Sequence, residues 1–454
     1  MGEPEDRDEA AFREMLRAFL EGRTELDPAQ LASAAGLPDN PALIAQLMSQ
    51  LQQAMHSSGD AIDWSLARNQ AATIAAAGSV VTLPEERDAI ERSLGVADLW
   101  LDEATDLPRI PQSPRLMSRR EWTEATIDVW TQLAEPVAES IASALTEALG
   151  AAAPEELEGV LPGAGRIMRS VGGTLFAMQL GHVVGQLSTE VLSGGDIGIP
   201  LLEESQAAIL PQNASGFGQA LEQPLDQVEL WVAARELAHA RLFRHARWLR
   251  LQLLTAIGDY SRGIAIDTDA LERIAMELDP ERPEALREVL QSGALIPPKT
   301  EAQQVALGRL ETTLALIEGW VDVVTAEATH RLPAAPAIAE AIRRRRAAGG
   351  PAEHALAALV GLELRPRRLR EAAAMWRAVT DAVGVGTRDG LWSHPDLLPT
   401  ADDIDDPAQL VARLRSGPAA PDAVDRALEE LLGGEPPELP DLEDDDTDTS
   451  GGAQ

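Results

Sequence analysis

The stretch from Trp231 to Phe243 reads WVAARELAHARLF, and its phase decides how the rest of the chain is interpreted. Alternating spacings of four and three extend it into a longer stripe: Val228, Val232, Arg235, His239, Leu242, Ala246, Leu249 and Leu253. Residues so spaced share one face of an α-helix. Arg235 and His239 therefore lie in an apolar seam. Arginine is rarely buried without a partner, so the seam predicts a polar group on a facing element.

LETTLALIEGWVDVV, further along, supplies the best candidate. Its core stripe is Leu307, Leu310, Leu314, Ile317, Val321 and Val324, and Glu318 falls on the edge of that stripe beside Gly319. A carboxylate projecting inward, with a glycine beside it to admit close approach, suits a metal ligand or a salt-bridge partner equally well. Asp322, one turn on, is placed to support it from behind.

RELAH is one letter from H-E-x-x-H. In that motif two His side chains four apart grip Zn²⁺, and the Glu after the first His takes a proton from the metal-bound water. Arg235 occupies the first His position and cannot ligate a cation. Glu236, His239 and Glu318 remain, which is a poor zinc set. A longer form of the motif has a further His ten positions after the first, and this falls on His245. That form needs a glycine where Leu242 stands, and ARLFRHARWLRLQLL keeps helical periodicity straight through. On a continuous helix His245 points about 240° from His239, so it is not expected to ligate.

Composition narrows the alternatives. The chain has 454 residues, 45% of them hydrophobic, enough for a sizeable core. It has no cysteine, which removes disulfides, thiolate zinc sites and cysteine nucleophiles and suits a reducing compartment. MGEPEDRDEAAF lacks the basic start and apolar stretch of a secretory signal. In VGGTLFAMQLGHVVGQLSTEVL, the run nearest to a membrane span, Gln179, His182, Gln186 and Glu190 intervene. A cytoplasmic protein without a membrane partner is expected. The formal charge of −36 argues against DNA binding.

That charge is segregated. Eight arginines lie between Arg343 and Arg370, and eight acids between Glu435 and Asp448. Arg343, Arg344, Arg345, Arg346, Arg367 and Arg368 are candidates for binding an anion, although surface pairing with carboxylates is the plainer expectation. The acidic tail is a candidate to lie across them.

Five regions are expected: a partly disordered segment 1–60, a helical region 61–111, the main domain 112–400, a C-terminal helix within 401–432, and a disordered acidic tail 433–454. Ser118 and Glu121 form a capping box. Gly173, Ala177, Gly181 and Gly185 make a small-residue ladder for close helix packing. DIGIPLL (196–202) and QAAILPQN (206–213) read as short strands forming a hairpin or sheet edge. His182 is expected in the core and His394 at a turn or cap. No Gly-rich phosphate loop and no G-x-S-x-G elbow occurs.

WVAARELAHARLFRHARWL, with ALIEGWVDVV and GGPAEHALAALVGLELRPRRLREAAAMW downstream, resembles the zincin-like type 2 metallopeptidase family of high-GC bacteria, most of whose members carry a provisional hydrolase label. The resemblance runs roughly from Ser118 to Pro399 and includes DLWLDEAT before it. It implies a mainly α zincin-like domain with a small β-hairpin or sheet beside the active-site helix. It places the two His ligands at Arg235 and His239, the base at Glu236 and a later carboxylate ligand at Glu318. DIGIPLL would be the edge strand that pairs with extended substrate. The expected function is a non-catalytic binding or scaffold role, with a peptide or protein segment in the old cleft and Arg235 replacing the metal's charge. The alternatives are a hydrolase whose zinc is held by His239 and Glu318 with Glu236 as base, or an arginine module for an acidic or phosphorylated partner.

Overall fold

A computed structural model describes residues 62–152, 161–203, 206–262, 300–347, 357 and 368–416. The expected N-terminal segment 1–60, the acidic tail and Arg367 lie outside the described residues. Those described form twelve α-helices and one two-stranded sheet. No helix among them is long and apolar enough to cross a membrane. One buried apolar cluster runs from Ala67 to Leu410.

In chain order the first elements are α1 (Ser65–Ala76), α2 (Pro84–Ala104), β1 (Arg115–Leu116), α3 (Arg119–Ala152) and α4 (Leu161–Ser188). α2 starts at a proline whose missing N–H costs nothing there. α3 starts at the predicted capping box: Ser118 N donates to Glu121 Oε2 at 2.7 Å, and Glu121 N to Ser118 Oγ at 3.2 Å. The small-residue ladder of α4 packs against α1. A Cβ on Gly181 would lie 2.5 Å from the Ala67 carbonyl oxygen, and one on Gly185 2.7 Å from Ile74 Cβ. His182, between them, faces outward and is exposed, contrary to its expected place in the core.

The short strand β2 (Ala208–Ile209) pairs parallel with β1, Arg115 opposite Ala208 and Leu116 opposite Ile209. Ser193 adds an isolated antiparallel bridge to Ile209. QAAILPQN thus contains a strand, but DIGIPLL does not, and of the expected hairpin or small sheet it is the sheet that forms, as a parallel pair. Residues 194–197 form turns. Gly198 has φ +81°, which no strand allows, and Asp196 turns its carboxylate back to Leu192 N at 2.9 Å. Ile199 is fully buried, so this segment offers no open edge.

The remaining elements are α5 (Pro211–Leu221), α6 (Leu225–His245), α7 (Arg247–Arg262), α8 (Glu301–Ala328), α9 (Ala335–Ala347), α10 (Leu369–Gly390), α11 (Ala401–Asp405) and α12 (Pro407–Ser416), and α2 packs on α6. α6 carries RELAH. Every residue of its predicted stripe is buried, Arg235 and His239 included. The helix does not run straight through: Ala246 (φ −94°, ψ 66°) ends it and α7 begins at once. Neither Gly nor Pro marks the break, and Ala246, Leu249 and Leu253 stay buried across it. His245 ends exposed at the helix terminus. His394 caps a 3-10 turn, accepting from Asp396 N at 3.2 Å.

α10 fixes the rotation of α8. Gly319 lets the Ala372–Ala373 backbone come so near that a Cβ would meet Ala373 N at 2.8 Å, so its close approach serves helix packing and not the Glu318 site. Trp376 Nε1 donates to Leu316 O at 2.9 Å, and Trp320 Nε1 to Asp389 Oδ1 at 2.9 Å. With these contacts on one side, Glu318 must face α6. α9 is seated on α6 by a smaller apolar cluster in which Ile338 and Ile342 meet Val228, Trp231 and Val232. Gly181→Ala tests the ladder. Alanine alone would favour a helix by about 1 kcal/mol, but the clash with α1 should outweigh it, giving a net loss of about 1–3 kcal/mol in denaturant unfolding.

Candidate functional site

Three helices deliver charge to one point. Arg235 of α6 donates from Nη2 to Glu318 Oε2 of α8. Arg346, in the last turn of α9, places Nη1 2.7 Å from Glu318 Oε1. His239 Nε2 lies 3.2 Å from the same oxygen, and its Nδ1 lies 3.1 Å from the Arg235 carbonyl. Both ring nitrogens thus face oxygen atoms, so an N–H on either one has an acceptor. The Arg235 guanidinium also lies 5.9 Å from the Trp231 ring centroid. Glu318 is 1% exposed. Burial by itself would raise its pKa, but Arg346, Arg235 and His239 hold it well below the usual carboxylate range. Burial pulls the Arg346 guanidinium below its ordinary value, against the attraction of Glu318.

Glu236, the position of the catalytic base in the working motif, faces elsewhere. Its Oε2 accepts from Gly195 N at 2.7 Å and its Oε1 from Ala208 N at 2.8 Å. It clamps the turn to β2. Burial raises its pKa, while the two backbone N–H groups oppose the rise. A Cβ on Gly195 would lie 2.9 Å from His239 Cβ, and one on Gly198 2.6 Å from Glu318 Oε1. The glycine-rich turn therefore lies directly on the charged cluster.

α9 ties down the same turn. Asp196 sits 3.1 Å from Arg345 Nη1, and its carbonyl accepts from Arg346 Nη2. Burial would raise the Asp196 pKa, but Arg345, Arg346 and the Leu192 N–H lower it. Asp322 meets Arg343 at 3.1 and 3.2 Å and Arg377 at 3.5 Å, and contacts none of Arg235, His239 and Glu318. Arg344 pairs with Glu340 at 3.0 Å, while Arg368 pairs with Asp405 and Glu371.

Arg235, His239 and Glu318 do come together as the sequence predicts. Sequence reasoning named Arg346 only as a candidate for binding an anion and missed its place in this cluster, as it missed the 193–198 turn. One signal was available: Ile338, Ile342 and Arg345 continue a single helical stripe at spacings of four and three, which turns the end of the arginine run inward.

This donor set does not fit zinc. Arg235 stands at the first ligand position, both Glu318 oxygens are engaged by guanidinium groups, and His239 faces acceptors through both nitrogens. Among the described residues no group of three or more His, Asp or Glu side chains is arranged to hold a metal. A catalytic zinc site uses three such side chains and a water.

The model of one family, described as zincin-like metallopeptidase, matches residues 62–411. No curated protein matches. Among solved structures, a crystal structure described as "a putative hydrolase with a novel fold" from Chloroflexus aurantiacus is similar at 21% identity and a TM-score of 0.54, with 79% of this chain and 100% of that chain covered. At that identity the likeness speaks for the fold. The chain belongs to the zincin-like metallopeptidase family.

Proposed function

We propose that this chain is a non-hydrolytic member of its family, a protein that acts by binding. The observation that carries the reading is the Arg235 guanidinium on the Glu318 carboxylate, where the H-E-x-x-H pattern would place its first ligand. A base in that pattern must reach a metal-bound water, whereas both Glu236 oxygens accept backbone N–H groups. The partner proposed is a peptide or protein segment, the class that a metallopeptidase ancestry implies. The buried charges keep the scaffold in shape.

Metal analysis and stability measured together test this reading. Protein purified without chelators should carry no stoichiometric zinc. Arg235→Ala should lower stability by about 3–5 kcal/mol, the usual cost of depriving a buried charge of its partner. Arg235→His should not suffice for tight zinc binding, because Arg346 still holds Glu318; the double variant Arg235→His/Arg346→Leu should gain zinc affinity at neutral pH. Equimolar zinc in the parent protein, with hydrolysis of a peptide library that depends on it, would overturn the proposal.

Glu236→Gln separates clamp from base. An amide offers its NH₂ to one of two backbone donors and leaves that N–H unsatisfied, so stability should fall by about 1–3 kcal/mol. For a catalytic base the same change would abolish hydrolysis and leave thermal unfolding unchanged or improved.

A further inference from the structure

The described part of the arginine run divides into two sets. Arg345 and Arg346 are spent inside on Asp196 and Glu318. Arg343, Arg344, Arg370 and Arg377 instead gather on the outer side of α9 and α10 around two carboxylates. Glu340 lies 3.4 Å from Arg343, 3.0 Å from Arg344 and 3.6 Å from Arg370. Asp322 lies 3.1 Å from Arg343 and 3.5 Å from Arg377. Among the described residues, these four guanidinium groups share two carboxylates. Three of them stay open to solvent, Arg344 at 77%, Arg370 at 71% and Arg377 at 52%. In a chain of net charge −36 this is a locally under-neutralised cationic surface.

We infer that residues 435–448 of this chain, with their eight acids, dock on that surface. Two further observations favour this occupant over a separate acidic partner. The last described helix, α12, ends at Ser416 and packs on α10, so the chain leaves from a helix lying against the one that carries Arg370 and Arg377. Residues 417–434 can span up to about 60 Å when extended, at about 3.3–3.6 Å per residue, which exceeds the roughly 33 Å that the 22 residues of α10, kinked at Gly384, would cover even as one straight helix. A tethered segment of this kind meets its site at an effective concentration of roughly millimolar. A free anion must compete with that and also approach a strongly acidic protein. Individually the exposed pairs are weak, so the docking is collective and salt-sensitive. It also braces α9, whose last turn carries Arg346 into the site.

The absence of cysteine makes the test direct. Spin labels on Ala347→Cys and Ser450→Cys in the full chain should give a short, narrow distance distribution at about 0.01 M salt and a long, broad one at about 1 M. Arg344→Gln/Arg370→Gln/Arg377→Gln should give the broad distribution even at low salt, with thermal unfolding near that of the parent because these side chains are exposed. A free peptide copying residues 435–448 should bind at least about tenfold more tightly once the eight tail acids are changed to Asn and Gln. A broad distribution at low salt in the parent would overturn the inference. Equal peptide affinity with and without the acidic tail, or peptide binding indifferent to the triple arginine change, would do the same and point to a surface kept for an external polyanion or to no anion site.

Discussion

A single carboxylate, Glu318, organises the interior of this protein. It is buried, ionised and held from two helices by Arg235 and Arg346, with His239 beside them. An isolated carboxylate in such surroundings would cost many kilocalories per mole unless paired and hydrogen-bonded. The pairing is therefore a condition for α6, α8 and α9 to pack as they do. Such ion pairs are weak evidence of net stabilisation relative to an apolar core. What they impose is register: moving any of the three helices by a turn would strand a charge.

The glycine-rich turn follows from the same constraint. Its backbone approaches Glu236, His239 and Glu318 so closely that side chains at Gly195 and Gly198 would clash. It is held there by Glu236 from below and by Arg345 and Arg346 from the side. Without the two N–H groups of Gly195 and Ala208 the Glu236 carboxyl would have no adequate compensation for burial. Acid, turn and sheet thus form one hydrogen-bonded unit, in which Glu236 clamps the turn to β2.

Much of this was legible in the sequence because it depended on local periodicity. The stripe through Arg235 and His239, the edge position of Glu318 and the α4 ladder are properties of helical phase, and burial obeys phase. The capping box at Ser118 was likewise local. β2 was legible within QAAILPQN, but its partner β1 was not, since a parallel pair joined across a long stretch leaves no turn signal. DIGIPLL misled because alternating isoleucines resemble a strand, while Gly198 at positive φ and the capping role of Asp196 decide otherwise. The break at Ala246 left no trace because apolar spacing continues across it. Arg346 was missed because a run of four arginines looks like a solvated face, although the isoleucines before it turn its far end inward.

Charge balance explains why one arginine would not have been enough. A zinc ion carries two positive charges, and an H-E-x-x-H site commonly sets them against one carboxylate ligand and a nearby glutamate. Arg235 alone would match Glu318 and leave the neighbouring Asp196 carboxylate unbalanced. The end of α9 brings two more guanidinium groups, Arg345 to Asp196 and Arg346 shared between Glu318 and the Asp196 backbone. Guanidinium also differs from a metal in its demands: it needs planar acceptors at hydrogen-bond distance and offers no vacant coordination position to a water. On the proposed reading, arginine in the metal's place does more than remove a ligand: a site that would polarise water becomes one whose positive charge is held on fixed carboxylates. The same pairing makes α9, seated on α6 by Ile338 and Ile342, a required wall of the interior.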